Sequence, residues 1–214
     1  MMKFKRPIRS STDKLHSSRT LLRSSIFIAL TFIFSLVLFI QQGDQTMLGL
    51  FKRYQVEMSP VVRGRITDGG KPMAGMQVAR SLLYAGYQNG KEQLEHTLTD
   101  TDGHFSFKPL IVKSRKPGNI FGQNMPVMQA IYVERSEHLY SLWSTSKDWK
   151  TIKPLSDLLL QLDCDLQNKK VKHQIDTEKY GGSSAQVVNS ICYWQGELIS
   201  TYYNNGLISS YDEI

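Results

Sequence analysis

Ser24 to Ile40 reads SSIFIALTFIFSLVLFI, 17 residues without a charge. At ~1.5 Å of rise per residue such a helix is roughly 26 Å long, close to one hydrocarbon core. Leu21 and Leu22 lengthen it, and Arg23 sits where a long side chain can carry its charge back to the interface. A helix on the surface of a small soluble domain keeps a polar face, and this one has none. The expectation is a membrane-inserted segment over residues 23–40. A cleaved signal peptide has a shorter apolar core and small residues ahead of the cut. Here the run ends in Leu38-Phe39-Ile40-Gln41-Gln42-Gly43-Asp44, with no such site, so an uncleaved signal-anchor is the reading.

Charge supports that reading. The 214 residues carry 26 Lys and Arg against 19 Asp and Glu, a formal net charge of +7. Residues 1–23 hold Lys3, Lys5, Arg6, Arg9, Lys14, Arg19 and Arg23 against Asp13, which leaves +6 there and +1 for residues 24–214. A basic stretch ahead of an apolar run orients it by the positive-inside rule. Residues 1–22 are therefore expected to be a cytoplasmic tail of a single-pass inner-membrane protein, with the C-terminal domain in the periplasm. Nucleic acid is not an expected partner, because the rest of the chain is nearly neutral. One alternative start exists: translation from Met47 would yield a soluble cytosolic domain.

Residues 41–57 read as a linker and residues 58–214 as a domain. Gly 15, Pro 7 and Cys 2 in the whole chain exclude collagen-like, wholly disordered and disulfide-dense classes. From Val61 the apolar period becomes two, with Val62, Gly64 and Ile66 inward and Arg63, Arg65 and Thr67 outward. Asp68-Gly69-Gly70-Lys71-Pro72 is turn chemistry. A strand follows from Gly75 toward Tyr84, with Met76 and Val78 inward, and another from Glu92 to Thr99. Asp100-Thr101-Asp102-Gly103 breaks it, and a further strand places Phe105 and Phe107 on one face.

The segments Gly64–Val78 (GRITDGGKPMAGMQV) and Thr99–Phe107 (TDTDGHFSF) resemble the carboxypeptidase regulatory-like domain, a transthyretin-like β-sandwich. The residues that carry the likeness are Gly64, Pro72, Gly75, Asp100, Asp102, Gly103, Phe105 and Phe107. With Glu57-Met58-Ser59-Pro60 ahead and a long tail behind, the chain is similar to a bacterial family of unknown function, of the DUF6795 type, with a motif-matching core at 58–112. The resemblance implies a mainly β fold, an antiparallel β-sandwich, which the apolar run precedes with one expected N-terminal transmembrane helix. It implies a module without catalytic residues. The enzymatic hydroxyisourate hydrolase branch ends in Y-R-G-S, which Ser210-Tyr211-Asp212-Glu213-Ile214 does not match.

Further on, Lys113 to Pro126 reads as a polar loop, and Val127–Glu134 with Leu139–Thr145 as a strand pair. Leu158, Leu160, Leu162, Cys164 and Leu166 alternate with polar residues, which predicts a half-buried antiparallel strand. Gly181-Gly182-Ser183-Ser184 is expected to start a short helix through Asn189. Asn204-Asn205-Gly206 suits a type I′ hairpin.

Cys164 and Cys192 both lie in apolar settings, and in a periplasmic compartment they are expected to pair. The five histidines, His16, His96, His104, His138 and His173, show no metal-ligand spacing, so no metal or cofactor is expected. Asp100 and Asp102 before Gly103 read as turn formers, since the glutamate that closes an EF-hand loop is missing. No G-x-S-x-G, S-x-x-K or phosphate-binding glycine loop occurs, so no enzyme activity is expected. Trp143, Trp149 and Trp194 remain as candidate binding aromatics, the alternative being that they fill and rim the sandwich core. The functional expectation is a membrane-anchored β-sandwich binding an unknown protein or glycan in the bacterial envelope, in one version as an immunity-like protein. The competing class is a periplasmic hydrolase using His96, His104 and Asp102.

Overall fold

The computed structural model describes Thr31 and residues 52–118, 125–135, 138–183 and 185–214. The chain divides into two units, Met1–Gly49 and Leu50–Ile214. The expected tail, most of the apolar segment 23–40 and the linker as far as residue 51 lie outside the described residues. Among the described residues, no helix is long and apolar enough to cross a membrane.

The second unit is mainly β. Its strands are β1 (Tyr54–Ser59), β2 (Val62–Asp68), β3 (Lys71–Pro72), β4 (Gln77–Tyr84), β5 (Gln93–Leu98), β6 (His104–Phe107) and β7 (Leu110–Ser114). After these come β8 (Val127–Arg135), β9 (His138–Lys147), the helix α1 (Lys153–Leu158), β10 (Leu162–Asp165), β11 (Val171–Ile175), β12 (Gln186–Ser190), β13 (Ile199–Tyr203) and β14 (Gly206–Ile208). Eight strands form one antiparallel sheet in the order β14-β13-β11-β12-β9-β8-β4-β5. A smaller sheet has β2 between β10 and β3 or β6, and β1 pairs with β7.

Alternation decides which face each strand buries. Val62, Gly64 and Ile66 of β2 are buried, as are Phe105 and Phe107 of β6. They pack with Leu162 of β10 against Val78, Ile131, Val133, Trp143, Ile175 and Val188 of the large sheet. Gly64 is needed because the Phe105 ring lies over it: a Cβ there would stand 2.6 Å from the ring. A second apolar cluster joins Val56 and Met58 of β1, Leu82 and Tyr84 of β4, Val112 of β7 and Val127 of β8.

Several expectations are corrected. β1 begins at Tyr54, inside the stretch read as linker, and β7 extends to Ser114, inside the stretch read as a polar loop. The Leu158–Leu166 alternation is not one antiparallel strand. Pro154 sits in the first turn of α1, and Leu155 and Leu159 share its buried side by helical spacing. Only Leu162–Asp165 is extended, and it pairs parallel to β2, with Cys164 beside Ile66. Leu160 is left exposed. The helix expected through Asn189 is instead β12, where Gln186, Val188 and Ser190 are buried and Val187 and Asn189 are not. The hairpin holds: Asn204 and Asn205 both have positive φ, 47° and 66°, between Tyr203 and Gly206.

Candidate interaction surface

The motif residues build two turns. Asp100 closes the turn between β5 and β6 by accepting the amides of Asp102 at 3.0 Å and His104 at 2.8 Å. These bonds, from His104 above all, hold its carboxyl below the usual range. Gly103 has φ 80°, and its amide donates to the Asp100 carbonyl. Gly75 has φ 68° ahead of β4, and Pro72 sits in β3 opposite Thr67. Ligand atoms of Asp100, Asp102 and His104 lie within 4.8 Å of one another, all three residues exposed. The turn already employs Asp100 as an acceptor of backbone amides. His96 is not in that group; it faces Gln77, with Nδ1 3.0 Å from the amide nitrogen. A groove of about 610 Å³ beside the turn is lined by His104 and Asp100, with Arg63, Arg65 and Asp163, but not by His96 or Asp102. The three residues of the hydrolase reading are therefore not drawn into one concavity.

The aromatic candidates divide. Trp143 and Trp194 are 1% and 4% exposed and belong to the main core. They are packing residues, which leaves Trp149 as the accessible one of the three candidates. Trp149 is half-buried, edge-on to Tyr54 at 5.6 Å. Cys164 and Cys192 are joined as a disulfide, with Cα atoms 4.0 Å apart.

Three cationic or titratable side chains are buried, Arg80 and Lys147, which the sequence reading does not single out, and His173, which it names only for lacking metal-ligand spacing. Arg80 reaches Ser59 at 3.1 Å, pairs with Glu95 and lies over Phe107. Burial lowers its pKa against the opposing pull of Glu95. Lys147 donates to the Lys150 and Asp148 carbonyls and sits 3.3 Å from Glu57. Burial pushes its pKa down while Glu57 works to raise it. His173 contacts Thr201 at 3.0 Å and the Cys192 carbonyl at 3.3 Å, and burial takes it down to about 4. The signal for Arg80 was present in sequence, since it continues the inward positions Val78, Leu82 and Tyr84 of β4.

Another surface is the outer face of the eight-stranded sheet. Ser81 of β4 stands opposite Leu94 of β5 and Ala130 of β8; Ala130 opposes Ser144 of β9, which opposes Asn189 of β12. Leu83 opposes Met128 one step along, and Ala79 opposes Tyr132 on the other side. A trough of about 480 Å³ there is lined by small and polar residues, Ser81, Ala130, Ser144 and Asn189 among them, with Leu83, Met128, Tyr132 and Val187; no charged residue lines it among the described residues. Leu94, Leu98 and Met128 on this face are about half exposed or more.

The family model described as "Domain of unknown function (DUF6795)" matches residues 62–169, just over half of the 214 residues. The chain belongs to that family. The DUF6795 match runs from β2 through β10 and contains both motif turns, while β11 to β14 and Cys192 lie beyond it. No curated protein matches the chain.

Proposed function

We propose that this DUF6795 protein is a non-catalytic, membrane-anchored module that binds a protein partner in the bacterial envelope. Its described unit is read as a β-sandwich of the transthyretin-like, carboxypeptidase regulatory-like kind, and the apolar run Ser24–Ile40 as its anchor. The observation that carries the binding reading is the trough across β4, β8, β9 and β12, which no charged residue lines among the described residues. An uncharged trough with Met128 and Val187 exposed in its lining and Leu94 exposed beside it, on a chain that is 21% charged, suits a surface that another molecule covers. A protein fits it better than a glycan, because two of the three tryptophans that would stack on sugar rings are in the core. An immunity-like role, guarding the envelope against a toxin, suits the small anchored format.

Two experiments test this. Cross-linking from membranes should capture a partner with the native chain and lose it with Met128→Arg, which alters an exposed side chain without touching the core. Capture of the same partner by both chains would remove this face from the reading. A reporter fused after Ile214 should be active in the periplasm; a cytoplasmic signal would overturn the anchored topology and favour the start at Met47.

A further inference from the structure

β1, β7 and the turn after β9 meet at one end of the second unit, and cations gather there. Tyr54 opens β1 opposite Ser114, the last residue of β7, and Gln55 lies opposite Lys113. Trp149 packs against Tyr54, and its carbonyl accepts the Glu57 amide at 3.0 Å. Lys52 Nζ stands 5.3 Å from the centre of the Tyr54 ring, and Lys150 Nζ 5.5 Å from that of Trp149. Segments 52–55, 113–118 and 148–150 carry six exposed cations, Lys52, Arg53, Lys113, Arg115, Lys116 and Lys150, against one carboxylate, Asp148. Glu57, the next acid along β1, is matched by the buried Lys147. This end therefore holds a net +5, in a stretch of 191 residues, 24–214, that totals only +1.

Half-buried aromatic rings flanked by lysines suit a headgroup layer: the ring sits at the interface while ammonium and guanidinium groups meet phosphate. Connectivity says which acidic surface is within reach. Only 11 residues, 41–51, separate the end of the apolar run from Lys52, at most about 40 Å of extended chain.

We propose that this aromatic, basic end is a docking site for the anionic phospholipid surface of the membrane that holds the apolar run. It rests on the anchored reading above and uses a surface separate from the outer sheet face. Docked in this way, the domain presents that face at a set orientation to the bilayer.

Trp149 is its own reporter. Residues 1–51 contain no tryptophan, and the other two are buried in the core. The full chain would be reconstituted into vesicles of phosphatidylcholine with or without phosphatidylglycerol, with lipids brominated near the headgroup as quencher. The expected result is quenched emission in the anionic vesicles, weakened roughly twofold or more by omitting phosphatidylglycerol or by high salt. Trp149→Phe should abolish the quenchable fraction. Lys113→Gln with Arg115→Gln and Lys116→Gln should reduce it while leaving the urea midpoint unchanged, since all three side chains are exposed. Equal quenching in both vesicle types, or none in vesicles from which carbonate fails to extract the chain, overturns the docking and leaves the anchor standing. Extraction by carbonate overturns both.

Discussion

The Asp165 carboxylate of β10 accepts a 2.7 Å hydrogen bond from the amide of Gly70, a residue 95 positions earlier in the turn after β2. It also accepts from the amides of Gly69 and Gln167 and from the Thr67 hydroxyl. One side chain thus ties the parallel pairing of β10 with β2 to the family's first glycine turn.

Burial alone would raise the Asp165 pKa, but the hydrogen bonds from Gln167, Gly70, Thr67 and Gly69 outweigh it and hold the group at about 2. Its stabilising contribution is complete above the ordinary carboxylate value of 3.8 and is lost as pH falls toward about 2. Allowing for solvent screening, the loss should be about 1–2 kcal/mol. Asp165→Ala should destabilise by roughly 1–3 kcal/mol at neutral pH, because four donors lose their acceptor. Urea unfolding of both chains between neutral pH and about pH 2 checks this, and superimposable curves would refute it.

His173 behaves differently. It is fully buried and its folded pKa of about 4 lies below the ordinary 6.5. The unfolded chain takes up the proton first, so stability falls as pH drops from about 6.5 to about 4 and levels off below. The expected loss over that window is on the order of 2–3 kcal/mol. His173→Gln should flatten this part of the profile, whatever its effect on stability at neutral pH.

The disulfide between Cys164 and Cys192 spans a sequence separation of 28. On the loop-entropy model, opening it should cost about 3–4 kcal/mol. Denaturation with and without reductant measures that difference, and alkylation under non-reducing conditions should leave both sulfurs unmodified. Free thiols in the native chain would contradict the pairing.

Two motif glycines should differ in tolerance. A Cβ at Gly103 would lie 2.4 Å from the Ile66 carbonyl oxygen, whereas at Gly75 nothing lies within 4 Å. Both have positive φ, so Gly75→Ala should cost only that backbone strain, about 1 kcal/mol. Gly103→Ala adds a backbone collision and should cost roughly 3 kcal/mol or more. Equal thermal midpoints for the two variants would count against the turn geometry.

What was legible in the chain was local. The alternation in Val62–Ile66 and in Phe105–Phe107, the glycine turns and the Asn204-Asn205 hairpin each depend on a few neighbouring residues and on backbone sterics, and all appear as strands and turns of the expected kind. The Leu158–Leu166 segment shows where local pattern fails. Its leucines satisfy period two and also helical spacing, and Pro154 with the packing of Leu155 and Leu159 settles the first half as helix. Gln186–Ser190 failed for a related reason: serine and glycine suggest a helix start, but β9 and β11 on either side supply the missing ladder.

By itself the sequence established a β-rich domain, its turn chemistry and a charge distribution concentrated ahead of an apolar run. These follow from residue properties within a few positions of one another. Tertiary structure alone decided that β10 runs parallel to β2, that Lys147 and His173 are interior, and that Trp143 and Trp194 are core while Trp149 stands at a basic end. Those outcomes depend on which distant strands meet, because burial and charge clustering are properties of pairs of segments far apart in the chain, and no single segment carries them.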